Sequence, residues 1–139
     1  MEKLTLLREV YKLTESEIQR SIERYLNLKG IFNWPTHAGV IIPAHTGVSD
    51  IIGALPGNGR IIAIEVKLPG WKPPKEETKA YKHYLKQRDF LENIRKSNGI
   101  AFFATSIEDV KSQLEVVQPL TPKENQNAGT KETTKSNNE

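Results

Sequence analysis

Residues 50–68 run Asp50-Ile51-Ile52-Gly53-Ala54-Leu55-Pro56-Gly57-Asn58-Gly59-Arg60-Ile61-Ile62-Ala63-Ile64-Glu65-Val66-Lys67-Leu68. Two β-branched runs flank a Pro-Gly-Asn-Gly break, and Asn-Gly between apolar runs is a strong hairpin signal. Side chains alternate along a strand, so Ile62, Ile64 and Val66 share one face while Ala63, Glu65 and Lys67 share the other. A two-residue loop at Asn58-Gly59 sets Asp50 opposite Lys67, and a four-residue loop over residues 56–59 sets Asp50 opposite Glu65. Either register gathers Asp50, Glu65 and Lys67 on one face, whereas a three-residue loop would split them.

Outward from this hairpin, Thr14 and Glu17 have capping-box spacing and open a helix. Its stripe of Ile18, Ile22, Tyr25 and Leu26 runs to a stop at Gly30. Residues 1–12 suggest a shorter preceding helix. Ile31-Phe32-Asn33-Trp34 and Gly39-Val40-Ile41-Ile42 are strand-like and separated by Pro35. After a proline-marked loop (Pro69, Pro73, Pro74), a long helix is expected from about Glu76 to Ser97, ended by Asn98-Gly99. Ile100-Ala101-Phe102-Phe103-Ala104 reads as a short buried strand, and Ser106 with Asp109 caps a final helix through Leu114. The expected fold class is α/β, a small mixed sheet flanked by helices in the order α-β-β-β-α-β-α.

The chain of 139 residues suits one domain, expected over residues 1–118. A body of about 115 residues can bury a core without staples. Residues 119–139 hold one large apolar side chain, Leu120, and are expected to be a disordered polar tail. The absence of cysteine excludes disulfide frameworks, cysteine-rich zinc sites and thiol nucleophiles, and fits a reducing compartment. No signal-peptide core or membrane-length apolar run occurs, so a soluble, intracellular (cytoplasmic) protein without a membrane partner is expected.

A net charge of +3 says little by itself. From Lys67 to Arg88, however, seven basic residues face two acidic ones. Lys72, Lys75, Lys79, Lys82, Lys86 and Arg88 make this segment a candidate phosphate-contacting surface, and a solvated helix face is the plainer alternative. Trp71, in the same Pro- and Lys-rich segment, is a candidate nucleic-acid contact. Trp34 is expected in the core. His37, His45 and His83 are read as ordinary polar histidines, too few and badly spaced for zinc.

An aspartate, a glutamate and a lysine on one sheet face suit a hard cation with an ammonium beside it. Carboxylate oxygens favour Mg²⁺, which keeps several waters and shares its shell with substrate phosphate. Taken alone, Glu-x-Lys on a strand would be a surface ion pair. Glu15 falls at the angle of the apolar helix stripe and is expected to face the sheet, whereas Glu17 falls on the outer side.

In order and context these residues resemble the PD-(D/E)xK nucleases, and within them the VRR-NUC branch. The likeness rests on Glu15, Gly47-Val48-Ser49-Asp50-Ile51-Ile52-Gly53, the Gly-x-Gly hairpin, Glu65-Val66-Lys67 and Gln87-x-x-Phe90-Leu91 ahead of Gly99. It spans most of residues 14–112. Ser49 departs from the proline common in that family, and the insert over residues 68–84 is a second departure. The resemblance implies a restriction-endonuclease-like core in which Asp50, Glu65 and the Val66 carbonyl hold the metal. Glu15 would serve a second metal or its water. Lys67 would orient the attacking water and neutralise phosphate charge, with Gln87 positioning Lys67 or the phosphate. The expectation is a Mg²⁺-dependent endonuclease acting on DNA, with Mn²⁺ as a substitute, working as a homodimer on branched or Holliday-junction DNA. The alternatives are a non-catalytic nucleic-acid-binding module using residues 67–88, and a hydrolase of small phosphoesters.

Overall fold

The computed structural model describes residues 13–36 and 47–116. The segment expected as a short helix over residues 1–12, the strand-like residues 39–42, His37, His45 and the polar tail all lie outside the described residues. The chain forms α1 (Glu15–Leu28), β1 (Phe32–Pro35), β2 (Ile51–Ala54), β3 (Ile61–Val66), α2 (Lys79–Lys96), β4 (Ile100–Ala104) and α3 (Ile107–Val116). Among the described residues this is an α/β arrangement of three helices and a mixed four-stranded sheet in the order β1-β2-β3-β4. Antiparallel pairs join β1 to β2 and β2 to β3, whereas β3 and β4 are parallel. A parallel pair needs a long crossover, and α2 supplies it.

Of the two open registers, the sheet adopts the one with the four-residue loop. Ile51 pairs with Ile64 and Ala54 with Ile61. Leu55 N donates to Arg60 O at 2.9 Å and closes the hairpin around residues 56–59. Gly57 and Gly59 take φ of +94° and +70° in that loop, values that β-carbon-bearing residues rarely adopt.

Helices pack on both faces of the sheet, different ones on each. Ile51, Ile62, Ile64, Val66 and Phe102 share a core with Ile18, Ile22 and Leu26 of α1 and Val110 of α3. Each large aliphatic chain fully buried there stabilises the fold by roughly 1.5–3 kcal/mol. On the opposite face, Ala63 and Ala101 pack with Leu91, Phe90 and Ile94 of α2. The helix ends follow their caps. Thr14 Oγ1 accepts from Glu17 N at 3.2 Å while Glu17 Oε2 accepts from Thr14 N at 3.1 Å, the expected reciprocal box. The long helix starts three residues later than expected because Thr78 caps it, accepting from Tyr81 N at 3.2 Å. At α3, Ser106 Oγ accepts from Asp109 N at 3.2 Å.

Trp34 corrects the sequence reading. It is exposed on the edge strand β1, its ring 5.4 Å from that of Phe32, because α2 packs over β3 and β4 and leaves β1 uncovered on this face. Among the described residues no helix is long and apolar enough to cross a membrane.

Candidate active site

The adopted register brings Asp50 level with Glu65 at the ends of β2 and β3. Asp50 precedes β2 and is held by the backbone: Thr36 N donates to Asp50 O at 2.9 Å, and the Thr36 hydroxyl donates to Ser49 O. Asp50 Oδ2 in turn accepts from Val66 N at 2.8 Å, tying the carboxylate to the strand that carries Glu65. The segment before Asp50 is seated against α2 at Gly47. Its φ is +92°, and an added β-carbon there would lie 2.9 Å from the Lys86 backbone.

Glu65 and Lys67 project from the face covered by α2, and Gln87 reaches them from that helix. Gln87 Nε2 donates to Glu65 Oε1 at 2.7 Å, and Gln87 Oε1 accepts from Lys67 Nζ at 2.9 Å. One amide thereby bridges an acid and an ammonium that are themselves 3.8 Å apart. Lys67 is fixed from behind as well, because its N–H continues the parallel ladder to Ala104 O at 2.9 Å. Glu65 and Gln87 are buried, which is costly for polar groups unless each is hydrogen-bonded. Glu65 Oε2 is nonetheless buried without a hydrogen-bond partner among the described residues. Burial, then the charge of Asp50, push the Glu65 carboxyl up to about 9, against the opposing pull of Lys67.

Trp71 walls this cluster. Lys67 Nζ lies 5.4 Å from its ring centroid, within cation–π range. The Trp71 ring stacks on Phe103 at 4.9 Å and tilts against Tyr84 at 5.7 Å. Half-buried, it is packed into the fold beside Lys67.

Glu15 is not brought into the cluster. It is exposed in the first turn of α1, and that helix packs its stripe on the Ile62–Ile64–Val66 face, opposite to Glu65 and Lys67. Among the described residues no group of three or more histidines, aspartates or glutamates that could hold a metal ion forms. The acidic donors gathered here are Asp50 and Glu65, with the buried Val66 between Glu65 and Lys67 in the chain.

Lys72, Lys75, Lys79, Lys82, Lys86 and Arg88 are all exposed. Lys79, Lys82 and Lys86 recur at three- and four-residue spacing and so share one stripe of α2. Arg88 falls on the other side of the helix and lies 3.5 Å from Asp89. His83 is the site neighbour that the sequence reading passed over: its Nε2 is 3.2 Å from Gln87 Nε2. The signal was present in the i, i+4 spacing of the two residues, which stacks them on one helix face.

The chain matches no family model, and comparison with curated proteins and with solved structures returned no similar protein.

Proposed function

We propose that this chain is a metal-dependent nuclease that hydrolyses phosphodiester bonds of DNA at Asp50, Glu65 and Lys67, on a restriction-endonuclease-like core. The observation that carries the reading is the buried Glu65–Gln87–Lys67 bridge level with Asp50. A structural ion pair gains little from burial, because desolvation offsets most of the attraction between the charges. A buried acid beside a positioned ammonium is, by contrast, what charge-compensating chemistry at a phosphate needs.

The donor set fits Mg²⁺, which is commonly held by one or two carboxylates plus substrate phosphate. Asp50 and Glu65 would hold it, with the Val66 carbonyl, and Glu65 Oε2 is a buried oxygen that accepts no hydrogen bond among the described residues. When bound, such an ion supplies Lewis-acid activation of the phosphate. The protein's own groups do the rest. Gln87 Oε1 fixes the Lys67 ammonium at 2.9 Å, so its charge is set in place before substrate arrives. Lys67 then offsets the negative charge that builds on the phosphate oxygens and orients water for attack. No covalent nucleophile is required. The lysine stripe on α2 would hold the flanking backbone through phosphate contacts, which report charge and not sequence. The described residues carry one such centre, so symmetric cleavage of two strands would take a homodimer.

Incubating the purified protein with linear, flapped and four-way DNA, with and without Mg²⁺, tests this directly. Mg²⁺-dependent strand cleavage is expected. Tight DNA binding with no cleavage under any metal would instead favour the binding-module reading.

A further inference from the structure

The sheet face that carries the site is only half covered. Directly paired residues point to the same side, so the pairs Phe32–Ala54–Ile61 and Trp34–Ile52–Ala63 align Phe32, Trp34 and Ile61 with Ala63, Glu65 and Lys67. Ala63 is closed under Leu91 of α2, whereas Phe32 is 71% exposed, Trp34 44% and Ile61 45%. We propose that Phe32 and Trp34 form a stacking site for unpaired nucleobases of the strand whose phosphate lies at Glu65 and Lys67. The proposal rests on the nuclease reading above and adds to it the ligand: single-stranded nucleotides beside the scissile bond.

The placement suits this ligand. Trp34 stands two strands across and two residues along from Glu65, a separation of about 12 Å from standard strand spacing and rise. Three to four stacked nucleotides at ~3.4 Å each cover that distance. Aromatic faces hold bases without regard to sequence, and two rings with centroids 5.4 Å apart offer adjacent platforms.

A second copy of the chain suits the patch less well. Two part-exposed rings and one isoleucine offer on the order of 300 Å², against about 800 Å² per partner in a stable interface. The β1 edge is also poorly made for strand addition. It is four residues long and ends in Pro35, which lacks an N–H. The Asn33 side chain is already committed, Nδ2 donating to Asn27 Oδ1 at 2.8 Å and to Ile31 O at 2.9 Å.

The test measures binding of a short single-stranded oligonucleotide and of a blunt duplex, with Ca²⁺ in place of Mg²⁺, by fluorescence anisotropy. Trp34→Ala should weaken oligonucleotide binding about tenfold or more and leave duplex binding within about twofold. Trp34→Phe, which keeps a stacking face, should restore most of the loss, and oligonucleotide should quench tryptophan emission in the wild type more than in Trp34→Ala. Unchanged oligonucleotide affinity in a folded Trp34→Ala protein that still cleaves DNA overturns the stacking site alone. A wild type that neither binds nor cleaves any DNA overturns the nuclease reading with it. Light scattering closes the remaining case: a dimer that becomes a monomer on Trp34→Ala would make this face an interface between copies and overturn the proposal.

Discussion

Gln87 Nε2 donates to Glu65 Oε1 at 2.7 Å, joining a helix to a strand through a contact that is buried at both ends. The same amide holds Lys67 through its oxygen, so both of its polar atoms are engaged. Removing it should damage stability and activity together. Gln87→Ala is expected to cost about 1–3 kcal/mol, the penalty for leaving buried polar groups unpaired, and to lower cleavage at least about tenfold. Urea denaturation and single-turnover cleavage of the same preparation measure both.

Glu65 carries a proton far above the ordinary carboxylate range, and this fixes the sign of a stability effect. Its folded pKa of about 9 exceeds the ordinary 4.5, so the folded state favours the protonated form. The resulting stabilisation is complete below about pH 4.5 and is lost as pH rises towards 9. Glu65→Gln removes the ionisation, so the metal-free variant should melt several degrees above wild type at pH 8 while cleaving nothing. An equal or lower Tm at pH 8 contradicts the stored electrostatic cost.

Metal binding should run against that proton. A cation needs the ionised carboxylate, so Mg²⁺ affinity should rise with pH between 7 and about 9 and then level off. Calorimetry in buffers of different ionisation enthalpy should find close to one proton released per ion at pH 7.5. Cleavage should require Mg²⁺ or Mn²⁺, whereas Ca²⁺, which imposes geometry less strictly, should support binding with little turnover.

The lysines at and just before the start of α2 make a separable prediction. Lys75, Lys79 and Lys82 are exposed, so replacing all three by alanine should leave Tm nearly unchanged. It should weaken DNA binding alike for all sequences and flatten its salt dependence by about one unit of slope per lost phosphate contact. Affinity titrations across a salt series read this out.

Much of this was legible in the sequence, because strand parity and capping are local rules. Thr14 and Glu17 announced the start of α1, and the alternation from Ile62 to Lys67 assigned the two faces before the partners were known. The register needed the Leu55–Arg60 pair, since Asn-Gly also serves a shorter loop. Glu15 was misplaced for a physical reason: helical phase says which side of α1 meets the sheet, not which face of the sheet it meets. Trp34 was misplaced because size and hydrophobicity argue for burial, whereas its exposure depends on how far α2 extends across the strands. His83 reads as an ordinary polar histidine in the sequence because its partner, Gln87, gains meaning only when the helix lies over Glu65.

Catalysis at Asp50, Glu65 and Lys67 is tested most directly by single-turnover cleavage of end-labelled DNA in Mg²⁺ by wild type, Asp50→Asn, Glu65→Gln and Lys67→Ala, each first shown by circular dichroism to be folded. Mg²⁺-dependent cleavage by the wild type, abolished by EDTA, is expected, with a loss of at least about a hundredfold in each variant. Wild-type rates in any two of the variants, or full activity in excess EDTA, would contradict it.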